Sequence, residues 1–214
     1  MTEIEIDWID GAVLILPCQD AYPSLSERTE DGAELPESAQ MRWKLSEDGQ
    51  TLTVKYRKSS WFFGFGSQNR NKTLILRIPE AMLSQMRELD VTSVSGNVVM
   101  DQIAVEKLSV KTVSGNLRLL NIACNSLEIE TLTGNLEFDG AVCPQSLEID
   151  GTSADLTLRL PSESGFDLTW ESNGGNLSSD FALTEQGKHR IFGNGGASFD
   201  VKTTSGDLLL AKRS

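Results

Sequence analysis

Residues Leu108–Leu119 (LSVKTVSGNLRL) contain two alternating apolar and polar segments joined by Ser114-Gly115-Asn116. Alternation with a period of two is typical of a β-strand with one buried face. Glycine adopts the positive φ that a tight turn requires, and a neighbouring asparagine can hydrogen-bond its own backbone. The segment therefore predicts a strand, a tight corner and a second strand.

The same pattern returns along the chain at a fixed spacing. Three corner glycines are 19 residues apart (115 − 96 = 19; 134 − 115 = 19): Gly96, Gly115 and Gly134. Further copies follow at 147–158, 166–177 and 199–210. Repetition at this period indicates a solenoid, in which each coil stacks on the preceding one and buries an apolar face that one repeat cannot bury alone.

Stacked coils predict ladders of equivalent side chains. We expect Leu108, Leu127 and Leu147 to form one internal ladder, and Val110, Ile129 and Ile149 to form another. The repeat corners are expected to stack as well: Gly96, Asn97, Gly115, Asn116, Gly134, Asn135, Gly206 and Asp207. An antiparallel meander with Gly-Asn hairpin turns is the alternative. A meander would repeat with each strand, whereas a coil repeats once per turn. Here the similarity is between whole repeats of two strands and not between half-repeats, which favours the coils.

The N-terminal part varies the same plan. Residues 4–16 predict two strands around Asp10-Gly11, and residues 41–56 predict a hairpin around Asp48-Gly49. Residues 19–37 are polar and are expected to form a loop. A buried strand is expected at 73–79, followed by a helical turn within 79–88. The sequence thus predicts one all-β domain over 1–214, with a divergent part (1–79) and a regular part (89–214).

Aromatic residues mark both ends of the predicted solenoid. Near the C-terminus we expect large side chains to fill the end of the core: Phe166, Trp170, Phe181 and Phe192. Near the N-terminus a glycine-containing loop carries aromatic and basic residues: Lys58, Trp61, Phe62, Phe63, Phe65 and Arg70. This loop is a candidate contact with anionic lipid or with the groove of a partner protein. Alternatively, it caps the core.

Composition restricts the partners and the compartment. The formal net charge of −12 argues against nucleic acid, because binding phosphates requires clustered Lys and Arg. No apolar run is long enough for a transmembrane span. The chain starts with an acidic alternating strand rather than a signal peptide, which favours the cytoplasm. The cell surface is the alternative if a leader is missing from this sequence.

Known catalytic and metal-binding patterns are not found in the sequence. His189 is the single histidine and lies on a predicted loop without a nucleophile elbow. The Asn and Asp residues at the corners are better suited to structural stacking than to calcium binding. Glu128, Glu130, Glu148 and Asp150 are expected on the outer face. We therefore predict no catalytic residues, no metal site and no cofactor.

The chain contains three cysteines, Cys18, Cys124 and Cys143. Two of them follow a corner glycine by nine residues (115 + 9 = 124; 134 + 9 = 143), so they would lie on adjacent coils. At about 4.8 Å between strands, a disulfide is sterically possible. Two reduced thiols are the other interpretation.

The ordered series Ser95-Gly96-Asn97, Ser114-Gly115-Asn116 and Thr133-Gly134-Asn135 resembles the bacterial "putative adhesin" family, domain of unknown function 4097. Gly193-Asn194-Gly195-Gly196 and the final Thr204-Ser205-Gly206-Asp207 extend the resemblance over nearly the whole chain. It implies a right-handed, parallel β-helix-like solenoid with coils of roughly 19–21 residues and capped ends. It implies no catalytic residues. Some relatives belong to cell-envelope stress systems of Gram-positive bacteria.

The sequence and the resemblance together favour a non-enzymatic binding or sensing module of the envelope stress response. Its partner would be a protein or a membrane or envelope component, and its oligomeric state stays open. A surface adhesin that binds glycan or host protein is the alternative. A polysaccharide-active β-helix enzyme is a third and less favoured one.

Overall fold

The computed structural model of the protein describes residues 1–29, 35, 37–57 and 72–213. In this part the chain is all-β, as predicted, apart from helix α1 (Glu80–Leu83) and a 3-10 turn (Glu37–Ala39). The strands are β1 Glu3–Asp10, β2 Val13–Cys18, β3 Ser24–Thr29, β4 Arg42–Leu45, β5 Thr51–Lys55, β6 Lys72–Pro79, β7 Glu88–Ser95, β8 Val98–Asp101, β9 Ala104–Ser114, β10 Leu117–Thr133, β11 Leu136–Gly140, β12 Ser146–Ser153, β13 Leu156–Leu160, β14 Phe166–Ser172, β15 Leu177–Ser179, β16 Thr184–Gln186, β17 His189–Phe192, β18 Ala197–Ser205 and β19 Leu208–Lys212.

Parallel pairing builds two sheets whose inner side chains share one hydrophobic core. In sheet A the parallel strands follow the spatial order β5, β1, β7, β9, the second half of β10, β12, β18 and β14. In sheet B the order is β6, β2, β8, the first half of β10, β11, β13, β19 and β15. We call one strand of sheet A with the following strand of sheet B a coil.

The predicted ladders are confirmed. Leu127 pairs with Leu108 on one side and Leu147 on the other, and Ile129 pairs with Val110 and Ile149. All of these side chains are buried. The in-register parallel pairing excludes the antiparallel meander for these coils, because equivalent residues of successive repeats lie side by side.

Two coils do not stack in chain order, so the expectation that each coil lies on the preceding one is wrong for them. The β1–β2 coil lies between β5–β6 and β7–β8. The β18–β19 coil lies between β12–β13 and β14–β15. Each inserted coil therefore pairs its backbone on both sides, which leaves few unpaired donors and acceptors near the chain ends.

Within the described residues, antiparallel strands cover three of the four sheet edges. Strand β4 pairs with β5, as the predicted hairpin requires, and β3 pairs with β6. At the other end β17 pairs with β14, and β16 pairs with β17. Strand β3 corrects the prediction of a loop over 19–37. Its sequence SLSERT contains a single apolar residue, so alternation gives no signal for a covering edge strand.

The C-terminal end of the core is filled by aromatic rings, as predicted. Phe166 stacks on Phe199 at 5.0 Å between ring centroids and meets Phe181 edge-on at 5.4 Å. Phe192 lies 5.7 Å from Phe166 and 4.8 Å from Phe181. Trp170 is partly buried against the same core. These rings close the space beyond the last coil.

The first corner, between a strand of sheet A and the next strand of sheet B, carries the Ser/Thr-Gly-Asn/Asp sequence. Gly96, Gly115, Gly134 and Gly206 have φ between +118° and +126°. A Cβ on any of them would overlap the carbonyl group of the residue in the neighbouring coil. Backbone lies directly on backbone at these four positions, so each of them accepts only glycine on steric grounds.

The flanking residues of the first corner tie neighbouring coils together. Ser114 Oγ donates to Val94 O at 3.2 Å, and Thr133 Oγ1 donates to Val113 O at 3.3 Å. Asn116 Oδ1 accepts from the backbone N–H of Asn135 at 3.0 Å. Asn97 Oδ1 likewise accepts from the backbone N–H of Asn116 at 2.9 Å, so Asn97, Asn116 and Asn135 stack at this corner as predicted.

The second corner, between a strand of sheet B and the next strand of sheet A, has different chemistry. Gln102 and Asn121 adopt the left-handed conformation there, with φ of 56° and 52°. Residues with side chains therefore occupy this bend, and backbone hydrogen bonds such as Ala123 N–H to Ile103 O, at 2.9 Å, still join neighbouring coils beside it. An open groove runs along this corner.

Candidate binding sites

The predicted aromatic contact loop lies outside the described residues. This applies to each of its members: Lys58, Trp61, Phe62, Phe63, Phe65 and Arg70. Its role as a lipid contact, a partner contact or a cap stays a prediction.

A buried cation occupies the N-terminal end of the stack. The Lys72 ammonium lies 3.1 Å from a carboxylate oxygen of Glu27, 2.7 Å from Ala39 O and 4.2 Å from the centre of the Tyr56 ring. The Trp8 indole N–H donates to Lys72 O at 3.0 Å. Burial, together with the charges of Asp10 and Glu27, raises the pKa of Tyr56. The cation is fully paired, so this cluster fastens the end of the core.

The outer face of sheet A displays charged residues in straight rows. One row is almost entirely acidic and runs Glu5, Asp90, Ser109, Glu128, Glu148 and Asp200. Lysines of the adjacent rows contact it: Lys111 lies 3.3 Å from Glu128, and Lys202 lies 2.9 Å from Asp200. The predicted outward orientation of Glu128, Glu130, Glu148 and Asp150 agrees with this arrangement.

A groove of about 520 Å³ follows the second corner across four consecutive coils. Its floor is apolar and includes the buried side chains of Met86, Val105 and Cys124. Ala104 and Ala123 are partly exposed on the same floor.

Four exposed polar residues form a line along this groove: Arg87, Glu106, Asn125 and Gln145. Each belongs to a different coil. Backbone pairing places them side by side. Lys107 N donates to Arg87 O, and Gln145 N donates to Asn125 O, both at 2.8 Å. Asn125 lies opposite Glu106, because the residue pairs on either side are Cys124–Val105 and Ser126–Lys107. Within the described residues, the side chains of Glu106, Asn125 and Gln145 make no hydrogen bond or ion pair. We call these four residues the polar ladder.

The thiols of Cys18, Cys124 and Cys143 are all free in the structure, so no disulfide joins adjacent coils here. Burial raises the pKa of Cys124 to about 12. Burial also raises the pKa of Cys143, and a hydrogen bond with Ser164 partly opposes this effect. A thiol with a raised pKa is a weak nucleophile at neutral pH, so both cysteines behave as apolar groove residues.

Reactive constellations are not seen among the residues that the structure describes. No three His, Cys, Asp or Glu side chains there are placed to hold a metal ion. His189 begins strand β17 rather than lying on a loop, and its Nδ1 is 3.0 Å from Asp167. The pair is exposed and has no neighbouring nucleophile in its hydrogen-bond network.

The helix content bears on membrane insertion. In the described ranges, no helix has the length and apolar character needed to cross a lipid bilayer.

The second-corner groove and its polar ladder were not predicted from the sequence. A signal was present: Arg87, Glu106 and Asn125 are each 19 residues apart, and Gln145 follows after 20. It was weak because the four residue types differ, whereas Ser/Thr-Gly-Asn repeats almost unchanged. The predicted corner residues, by contrast, lie together as expected, in one stack at the first corner.

Solved structures share this fold over nearly its whole length. A "putative cell adhesion protein" from Clostridium sporogenes matches with a TM-score of 0.59 and 11% identity, covering 99% of this chain and 92% of that one. A "putative adhesin" from Bacteroides fragilis matches with a TM-score of 0.52 and 13% identity, covering 98% and 92%. At such identities the likeness shows the fold alone. A comparison with curated proteins finds no match.

A family model provides the sequence relationship. The model described as Toastrack DUF4097 matches residues 26–145, which is more than half of the 214 residues. The matched segment contains three of the regular first corners, and the resemblance inferred from those corners is thereby confirmed. The protein belongs to the Toastrack DUF4097 family.

Proposed function

We propose that the protein is a non-enzymatic, adhesin-like binding module of the bacterial cell envelope. The observation that carries the proposal is the arrangement of exposed side chains in straight rows on a stack of paired strands, since stacked repeats commonly provide extended binding surfaces. The names of the two structural neighbours point in the same direction. The described residues offer rows and a groove for recognition, and their cysteines and histidine lack the partners that nucleophilic catalysis needs.

The envelope-stress role belongs to the same proposal. In this role the module senses a change in the envelope by binding a protein partner or a membrane component. The family resemblance supports it. The predicted basic and aromatic loop would provide the membrane contact.

We further propose that the coils wind in a right-handed sense with 19–21 residues each. Parallel strands of one sheet joined by a crossover are almost always connected in the right-handed sense. This rule applies to strands β9 and β10 of sheet A, because they pair in parallel, equivalent residues are 19 apart, and the chain crosses sheet B between them.

Sedimentation with envelope fractions tests the proposal. The purified protein is mixed with peptidoglycan sacculi, with whole membranes, or with vesicles of neutral and anionic phospholipids, and each mixture is centrifuged. We expect co-sedimentation with at least one fraction, saturable and competed by unlabelled protein. Absence of binding to every fraction, by a protein with a cooperative melting transition, would refute the proposal.

A surface adhesin for glycan or host protein is the second candidate, favoured by the names of the structural neighbours. Labelling of intact bacteria with an antibody against this chain separates the two. Labelling without permeabilisation supports the adhesin, whereas labelling only after permeabilisation supports an intracellular sensing module.

A further inference from the structure

We propose that the groove along the second corner binds an extended, uncharged glycan of β-linked sugar rings, which lies along the stacking axis against the polar ladder. The inference rests on the proposed binding function and names the ligand class and the site. Its volume of about 520 Å³ falls within the usual range for ligand sites.

The hydrogen-bonding groups of the ladder suit sugar hydroxyls. The side-chain amides of Asn125 and Gln145 each donate and accept, as a hydroxyl does. Glu106 accepts and Arg87 donates, so the line offers both roles at successive coils. Because Glu106, Asn125 and Gln145 have no partner within the described residues, a ligand would not have to displace an internal hydrogen bond.

The charge of the ladder favours a neutral ligand. The chain carries a formal net charge of −12, and the outer face of sheet A contains an almost purely acidic row. In the groove, Arg87 and Glu106 balance each other, and the other two ladder residues are neutral. A cationic peptide would be attracted to the face of sheet A rather than to this groove.

The spacing of the ladder separates a glycan from a peptide. Successive coils lie about 4.8 Å apart, so the ladder presents a polar group at that interval over about 14 Å. A β-1,4-linked chain of sugar rings advances by about one such interval per ring. Successive rings are turned over, so each ring presents a hydroxyl to the ladder but the hydroxyl alternates in type, which suits a ladder that offers both donors and acceptors. Side chains on one side of an extended peptide recur at roughly 6.8 Å and fall out of step.

The floor of the groove suits the apolar face of a sugar ring. Ala104 and Ala123 are small and partly exposed, and Val105 and Cys124 beneath them are buried. Rings can therefore approach the backbone closely while their hydroxyls reach the ladder on one side.

Isothermal titration calorimetry with defined hexasaccharides tests the inference. Cellohexaose and chitohexaose are β-1,4-linked, whereas maltohexaose joins the glucose units of cellohexaose by α-1,4 bonds and is curved. We expect at least one β-linked hexasaccharide to bind, with maltohexaose at least about tenfold weaker. Failure of both β-linked sugars to bind at millimolar concentration, or equal binding of maltohexaose, would overturn the proposal.

Variants locate the site. Asn125→Ala combined with Gln145→Ala should weaken binding about tenfold, because two hydrogen bonds to the ligand are lost. Ala123→Trp should abolish binding by filling the groove. Asn173→Ala, an exposed asparagine near the first corner, is the matched control and should bind like the wild type. Equal affinity of the double variant and this control would contradict the assignment.

The outcomes distinguish this inference from the proposed function. If the protein sediments with an envelope fraction but binds no β-linked hexasaccharide, the glycan site is wrong and the binding function stands. If it does neither, both are wrong. Melting temperatures of all variants are measured in parallel, and the double variant should melt with the wild type because its side chains have no partners in the described structure.

Discussion

The chain turns from one sheet to the other at two corners of each coil, and the two corners differ in their residues and packing. At the first corner, glycine backbone lies on glycine backbone, and Ser, Thr and Asn side chains satisfy the neighbouring coil. At the second corner, Gln102 and Asn121 make the bend, and a groove runs beside it, lined in part by Glu106, Asn125 and Gln145, whose side chains have no partner among the described residues. The difference teaches that the most repetitive motif of this chain holds the fold, while the variable corner leaves polar side chains exposed in a groove, where we propose that a ligand binds.

The largest expected effect is a methyl group at the first corner. Gly115→Ala introduces a Cβ that overlaps the carbonyl of Gly96 and also forces alanine to a φ of +126°. We expect a loss of about 3 kcal/mol or more in the free energy of unfolding, from strain and overpacking together. Urea unfolding followed by circular dichroism measures it.

Gly49→Ala is the matched control for this substitution. Gly49 has a φ of +70° but nothing within 4 Å of its Cβ position. It should lose only about 1 kcal/mol, the cost of positive φ alone. Equal losses for the two variants would show that backbone stacking contributes nothing at the first corner.

The pH dependence of the free energy of unfolding should show that the Cys124 thiol is buried beneath the groove of the second corner. The unfolded Cys124 thiol ionises near its ordinary value of 9.0, whereas burial raises the folded pKa to about 12. Stability is thus fully present below pH 9 and falls as pH rises towards 12, by about 1.4 kcal/mol per pH unit. Unfolding free energies at pH 8, 9 and 10 should fall less steeply for Cys124→Ala than for the wild type. Parallel pH profiles would contradict a buried neutral thiol.

Two asparagines nine residues apart compare the corners directly. Asn116→Ala removes the acceptor of the Asn135 N–H at the first corner and should cost about 1 kcal/mol. Asn125→Ala, at the second corner, should change stability by less than about 0.5 kcal/mol. Thermal melts measure both. The reverse order would mean that the second corner, and not the first, holds the coils together.

The smallest expected effect is glycine at the second corner. Gln102→Gly relieves the cost of a side chain at a φ of 56°, but it increases the entropy of the unfolded chain. These contributions are similar in size, so stability should stay within about 0.5 kcal/mol of the wild type. A large loss in thermal melts would show that the Gln102 side chain supports the bend.

Local pattern predicted most of the regular part of the fold. The 19-residue spacing located the ladders of Leu108, Leu127 and Leu147, because in-register pairing turns equal spacing into contact. Gly-Asn chemistry located the first corner for the same reason. The helical turn at 79–88 and the aromatic C-terminal end were also predicted correctly.

The order in which the coils stack could not be predicted from the sequence. Leu147 pairs with Phe199 rather than with the intervening Leu168, since strand alternation is identical for every coil and does not specify its neighbour. Strand β3 was missed because its own sequence lacks strand alternation, and it forms a strand only by pairing antiparallel with β6. The polar ladder was missed because its residue types vary from coil to coil, whereas sequence repeats reveal only what is constant.

The placement of the β1–β2 coil has a consequence for synthesis on the ribosome. Residues 3–18 emerge first, but both of their flanking neighbours, β5–β6 and β7–β8, are completed only when residue 101 has been made. The earliest part of the nascent chain can pair with β5–β6 only once residue 79 has been made, about 60 residues later, and it gains its second neighbour only after residue 101. A force that pulls on this segment in the finished protein has to shear it away from two flanking strands at once.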